Sequence, residues 1–183
     1  LSVAESEQLP VAQARAGEPE AWDALFRRYQ LPLYTYVFEL LQDEPTSLDV
    51  VQDTFISAVR HLDGLREDSK FGGWLFGIAH QKCIQHWRKR TREETLRDDL
   101  VEAPVDLEDA PDELLIRREE EGEFMRLLNQ LPSPQRSVLL LHFLEGFPLE
   151  EIAGIVGAPL GTVKSRLFHA KRILRGLIER PTT

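Results

Sequence analysis

Apolar residues recur along most of this chain at spacings of three and four, the signature of helices that bury one face. "EPEAWDALFRRYQLPLYTYVFELLQ" sets Trp22, Leu25, Phe26 and Tyr29 at helical spacing, and Pro32 predicts a kink or break because it removes a backbone donor. "TSLDVVQDTFISAVRHL" repeats apolar residues at Val51, Phe55, Val59 and Leu62, with Thr46 or Ser47 as the expected N-cap. A further helix is expected from a cap at Asp68 or Ser69 to about Arg92. Strand signals are nearly absent, since β-branched runs are few and no Asn-Gly or Asp-Gly turn joins alternating segments. The pattern predicts an all-α fold.

Periodicity lapses from about 93 to 111, where "EETLRDDLVEAPVDLEDAP" is acidic, carries two prolines and has little apolar content. Such a segment reads as a linker, extended or disordered when free. Helices resume near Asp112. "LPSPQRSVLLLHFLEG" offers Ser133 as N-cap, Pro134 at the first helical position and Gly146 as a stop, and two short helices are expected near 149–156 and 161–178. The predicted organisation is therefore two small helical domains, 1–92 and 112–183, tethered by an acidic linker over 93–111.

Charge divides the chain more sharply than hydropathy does. The formal net charge is -9, yet residues 70–92 carry net +6 and residues 164–183 net +5, while residues 93–123 between them carry net -11. A free-standing DNA binder is more often basic overall, because phosphate neutralisation drives affinity. Two cationic islands in an acidic body suggest two local polyanion contacts in a protein that resists binding nucleic acid alone.

The second island follows a helix-turn-helix pattern. In "LEEIAGIVGAPLGTVKSRLFHAKRIL", Ala153 is small where two helices must cross, and Gly157 follows where the chain must turn. Ile152, Val156, Val163 and Leu167 supply a shared core. On a wheel of about 100° per residue, Val163, Leu167, Ala170, Leu174 and Ile178 form one stripe. Ser165, Phe168, His169 and Arg172 fall opposite, with Lys164 and Arg166 on the flanks. A helix of this kind can enter a major groove and reach base edges and phosphates. The alternatives are an ordinary solvated basic face and, for Phe168, packing on a partner.

In the first island, "KFGGWLFGIAHQKCIQHWRKRTR", Leu75, Phe76, Ala79, Cys83 and Trp87 cluster on one side of the wheel. Trp74, Gly77, Gln81, Gln85, Arg88 and Arg92 cluster roughly opposite. Aromatics stack on unpaired bases, amides pair with base edges and guanidinium groups hold the backbone, a combination suited to melted rather than duplex DNA. Taken alone, Trp74 reads more readily as core than as a base platform, and Trp87 more so still. His80 and His86, without partners at metal-ligand spacing, read as surface or groove residues, and Cys83 as a buried, inert thiol. No phosphate loop, metal constellation or activated nucleophile is present, so neither an enzyme nor a cofactor is expected. No apolar run reaches the roughly 18 residues needed to span a bilayer, no signal pattern opens the chain, and one cysteine excludes an internal disulfide. A soluble, cytoplasmic protein is expected.

The two islands, in this order and with an acidic spacer, resemble bacterial RNA polymerase sigma factors of the extracytoplasmic-function (ECF) group, over roughly 19–92 and 120–178. "DVVQDTFISAVRHL" resembles the segment that docks on the polymerase clamp helices, and "FGGWLFGIAHQKCIQHWRKR" the segment that melts the promoter and reads the -10 element. The run from "LPSPQRSV" through "TVKSRLFHAKRIL" resembles the -35 domain over its full length. The resemblance implies that Asp49, Gln52, Asp53 and Phe55 meet the clamp, and that Lys164, Ser165, Arg166, Phe168 and His169 meet the -35 element. Gln81 stands where these factors usually carry asparagine, Gln85 where aspartate or asparagine is common, and His169 where arginine is common. It further implies core RNA polymerase (clamp helices and flap), promoter DNA and an anti-sigma factor as partners, and a linker lying in the channel for nascent RNA. The alternative is a stand-alone helix-turn-helix regulator with an N-terminal sensor or dimerisation module, which would bind duplex DNA without polymerase.

Overall fold

The computed structural model describes residues 9–98 and 125–178, with the backbone alone at 90–98 and 178. Among the described residues every regular element is helical. Four helices build the first unit: α1 (Val11–Arg15), α2 (Pro19–Leu41), α3 (Glu44–His61) and α4 (Phe71–Asp98). After a helical stretch at 125–129, three more build the second: α5 (Ser133–Phe143), α6 (Leu149–Val156) and α7 (Leu160–Ile178).

The predicted break in α2 does not occur, for the helix runs through Pro32. Proline costs one backbone hydrogen bond and a clash, a local penalty of about 3 kcal/mol. Leu25, Tyr29, Leu33, Tyr36, Val37 and Leu40, buried on both sides of it, outweigh that cost. The start of α3 also differs. Asp43, not Thr46 or Ser47, is the N-cap: its carboxylate accepts from the Thr46 amide at 2.9 Å, and Pro45 occupies the first turn. Ser47 is buried and donates back to the Asp43 carbonyl at 2.6 Å. Asp43→Ala should therefore lower stability by about 1 kcal/mol, whereas Thr46→Ala should change it little; urea unfolding of the two variants checks this.

Asp68 is diverted from the capping role expected of it. Arg15 Nη2 donates to Asp68 Oδ1 at 2.6 Å and to the Leu65 carbonyl at 3.1 Å, tying α1 to the 3-10 turn Asp68–Lys70 that precedes α4. The hydrogen bond to Asp68 raises the Arg15 pKa further. α4 continues to Asp98, six residues beyond its expected end at Arg92 and into the segment read as linker. The remainder of that linker lies outside the described residues.

In the second unit α5 begins one residue early, with Pro132 at the cap and Pro134 inside the first turn. Gly146 at φ +75° ends that segment, and the Phe147 amide closes the turn onto the Leu141 carbonyl at 3.0 Å. Gly157 at φ +62° does the same for α6, a left-handed position that favours glycine and turns the chain into α7. Ile152, Ile155, Val163, Leu167, Ala170 and Leu174 are buried between these helices.

The two units are packed together, not merely tethered, and their apolar residues form one continuous core. Phe76 of α4 meets Phe147 edge-on at 5.2 Å between centroids, and Arg136 Nη2 donates to the Leu40 carbonyl at 3.2 Å. Lys70 Nζ lies 3.8 Å from Glu151 Oε2. Arg136 Nη1 donates to Asn129 Oδ1 at 2.9 Å, so this buried guanidinium joins both units. Burial lowers its pKa, and the charge of Glu39 opposes that.

Candidate nucleic-acid interface

On α7 the expected division of faces is present. Val163, Leu167, Ala170 and Leu174 are buried, while Lys164, Ser165, Phe168 and Arg172 are exposed and Arg166 and His169 half-buried. The side chain of Ile178 lies outside the described residues. Phe168 is 64% exposed, its ring edge-on to His169 at 5.6 Å, so the core formed by the described residues does not claim it. Lys171 Nζ stands 4.9 Å over the Phe143 ring and extends the cationic face toward α5.

On α4, Leu75, Phe76, Ala79 and Cys83 are buried and Trp87 half-buried. Gln81, Gln85 and Arg88 are exposed on the other side, with half-buried Trp74 beside them and tilted on Phe71 at 5.9 Å. The side chain of Arg92 lies outside the described residues. Burial pushes the Cys83 thiol up to about 12, as expected of an inert core cysteine.

His80 departs from its expected surface position. It is buried, with Nδ1 2.8 Å from the Tyr36 hydroxyl, and burial together with the positive charge of Arg166 lowers its pKa to about 4. It is therefore a neutral strut between α4 and α2, next to a residue of the α7 face. His86 remains half-buried.

On α3, Asp49, Gln52 and Asp53 are exposed, but Phe55 is not. Phe55 is 8% exposed and stacks obliquely on Phe26 at 4.8 Å, so it supports the surface from beneath. Val59, expected inside, is instead 56% exposed, and Leu48 and Ile56 are 53% and 40% exposed. Leu48, Gln52 and Ile56 are spaced by four and Val59 follows by three, which makes an apolar stripe between the acidic residues. That stripe was visible in the spacing but masked by the competing repeat through Val51 and Phe55.

Two crevices between the units border the α4 face, one against α6 and one against Arg166 of α7. A cleft of about 850 Å3 is lined by Trp74, Gln81 and Gln85 from one side and by Glu150 and Glu151 from the other. A smaller one of about 280 Å3 brings Gln81 and Arg88 opposite Arg166. Glu145 is buried nearby, its charge among those felt by Tyr36, and burial raises its carboxyl to about 8. No group of three or more His, Cys, Asp or Glu able to hold a metal occurs among the described residues. No helix among them is long and apolar enough to cross a membrane.

Comparison with known proteins assigns both halves. The profile of sigma-70 region 2 matches residues 25–93, and that of sigma-70 region 4 matches residues 121–174. The chain is 32% identical over 179 residues to the RNA polymerase sigma-H factor of Pseudomonas aeruginosa, spanning 93% of this chain and 92% of that protein. It is 31% identical over 183 residues to the ECF RNA polymerase sigma-E factor of Escherichia coli, spanning 95% of each. Among solved structures, CnrH in complex with the cytosolic domain of CnrY aligns with a TM-score of 0.70 at 26% identity, over 94% of this chain and 96% of that one. The sigma factor RpoE in complex with the anti-sigma factor NepR from Bartonella quintana aligns with a TM-score of 0.67 at 28% identity, over 86% of this chain and 98% of that one. With regions 2 and 4 matched in order on the two helical units that carry the cationic faces, the chain belongs to the sigma-70 family of RNA polymerase sigma factors, in its ECF group.

Proposed function

We propose that this sigma factor is a dissociable specificity subunit that acts in the cytoplasm, joins core RNA polymerase, engages the -35 and -10 elements and holds melted promoter DNA. The observation that carries this reading is the pair of amphipathic helices, α4 and α7, each with an apolar side in the core and a polar, cationic side outward. On α7, Lys164, Ser165, Arg166, Phe168, His169 and Arg172 are assigned to the -35 duplex. On α4, Trp74, Gln81, Gln85, Arg88 and Arg92 are assigned to the -10 strand, with Trp74 as the stacking platform. The functional boundaries proposed are a region 2 unit over 1–92, the acidic connector after it, and a region 4 unit from 112 onward, with the α4 helix reaching into the connector. The role is one of binding and positioning, and bond formation belongs to the polymerase.

For polymerase docking, exposed Asp49, Gln52 and Asp53 are joined by the apolar stripe of Leu48, Ile56 and Val59, with Phe55 as their support. Ile56→Glu with Val59→Glu should lower affinity for core polymerase roughly tenfold or more, since interface energy concentrates in desolvated apolar anchors. Because both side chains are exposed, urea unfolding of the double variant should stay near wild type. Anti-sigma partners of similar factors suggest one here, covering the same faces.

Transcription in vitro with core polymerase and this chain on a promoter library tests the whole. Initiation at a shared two-part motif is expected. Tight, sequence-specific duplex binding by the chain alone, with no polymerase-dependent initiation, would instead identify a stand-alone regulator.

A further inference from the structure

The larger cleft, of about 850 Å3, has the volume of a small-ligand site, a class that spans roughly 300–1,000 Å3. α4 supplies its floor with Trp74, Gln81 and Gln85, spaced by seven and four along one side of the helix. α6 supplies one flank with Glu150 and Glu151, and His61 at the end of α3 stands on another. On a wheel of about 100° per residue, Lys82 falls on the side of the Trp74 stripe away from Gly73 and Gly77. Those two glycines are the positions of α4 that face Glu151 and Ile155 of α6. Cations and carboxylates therefore border opposite edges of one aromatic and amide floor.

Each edge asks something different of a ligand. Trp74 is half-buried and held on Phe71 at 5.9 Å between centroids, so its ring is a fixed stacking platform. Glu151 faces Lys70 at 3.8 Å, whereas Glu150 is exposed and makes no ion pair among the described residues. Its carboxylate offers two acceptors side by side and no donor. Lys82, half-buried in the cleft, likewise makes no ion pair among the described residues, and its ammonium offers three donors. A matching ligand has a flat ring, two adjacent donors on one edge and an anion at the other end. Guanine carries such an edge in its N1–H and N2–H groups. Adenine sets the N1 lone pair beside its amino group, against the carboxylate.

We propose that this cleft binds a free guanine nucleotide. Its base stacks on Trp74 with the donor edge toward Glu150, and its phosphates lie toward Lys82 and His61. The nucleotide would occupy the α4 face assigned above to the -10 strand, so that nucleotide and strand exclude each other. That consequence rests on the assignment of α4 to promoter DNA, whereas the site itself does not.

The test is titration calorimetry of the full chain with GDP, ADP and inorganic diphosphate, without polymerase or DNA. GDP should bind at one site per chain and roughly tenfold or more tighter than ADP, since the wrong base leaves a polar group unpaired. Glu150→Gln should bring the two nucleotides within about twofold of each other, because a carboxamide pairs with either base. The ratio is insensitive to the lost charge, which both diphosphates feel alike. Lys82→Ala should weaken both nucleotides by roughly fivefold or more and leave their ratio unchanged. Both side chains border an open cleft, so urea midpoints of the two variants should stay near wild type.

Absence of GDP binding, equal affinity for GDP and ADP, or an unchanged ratio in Glu150→Gln overturns the proposal. Diphosphate bound as tightly as GDP would reveal a polyanion contact only, and overturns it equally. A single-stranded oligonucleotide carrying the -10 element should displace bound GDP. GDP that binds with the stated selectivity and resists displacement would keep the site and overturn the assignment of α4 instead.

Discussion

Replacing Glu145 with glutamine will stabilise the chain above neutral pH, by up to about 5 kcal/mol at pH 8 and beyond. Burial raises this carboxyl to about 8 from its ordinary 4.5. Between those values the unfolded chain has lost a proton that the folded chain keeps, so stability falls as pH climbs from about 4.5 to about 8. His80 acts in the opposite sense. Held at about 4 instead of 6.5, it takes up a proton in the unfolded chain first, and stability falls as pH drops through that interval. Where the two intervals overlap the slopes oppose each other. Wild-type urea midpoints should therefore be nearly level from about pH 4.5 to 6.5 and then decline toward pH 8. In Glu145→Gln the decline above pH 6.5 should vanish. Equal declines in the two proteins would mean that Glu145 is already ionised in the fold.

Arg166→Ala should reduce initiation from a duplex promoter by roughly 5- to 150-fold, the equivalent of 1–3 kcal/mol for a well-made contact between an arginine and a base. Arg166 sits in the first half of α7, whose buried stripe fixes the helix rotation, so removal of its guanidinium leaves the scaffold intact. The loss should be specific to the upstream element. On templates with the -35 sequence scrambled, wild type and variant should initiate equally, whereas a variant defective in strand holding, such as Trp74→Ala, should stay weaker on both. Arg166→Ala remaining weaker on scrambled templates would indicate a phosphate contact, which is uniform across sequences.

Much of this molecule was readable from spacing alone, because amphipathic helices state their own buried side. The stripes through Val163, Leu167, Ala170 and Leu174, and through Leu75, Phe76, Ala79 and Cys83, are buried as the wheel predicts. Periodicity describes a helix against an unspecified neighbour, and the misreadings came from that limit. His80 read as a surface or groove position in its own helix, and it is buried against Tyr36 of α2 and beside Ser137 and Arg166 of the second unit. Phe76 had the right burial, but one of its ring partners, Phe147, lies across the contact between units. Val59 illustrates a different limit: it is exposed between buried Phe55 and Leu62, because Ala58 and not Val59 takes the core position of that turn. Pro32 was weighed by its local penalty, while the outcome was set by the packing of α2 as a whole. The cap of α3 was placed three or four residues late because Thr46 and Ser47 have the same chemistry as a true cap, and only the fold selects Asp43.

One further consequence concerns how such a factor learns about the environment. The chain has a single cysteine, which is wholly buried, and its thiol is held so far from ionisation that peroxides and electrophiles find almost no thiolate to attack. Cys83 is therefore poorly placed to report oxidative stress directly, and alkylating or mildly oxidising reagents directed at thiols should leave the transcription output of the purified protein unaltered.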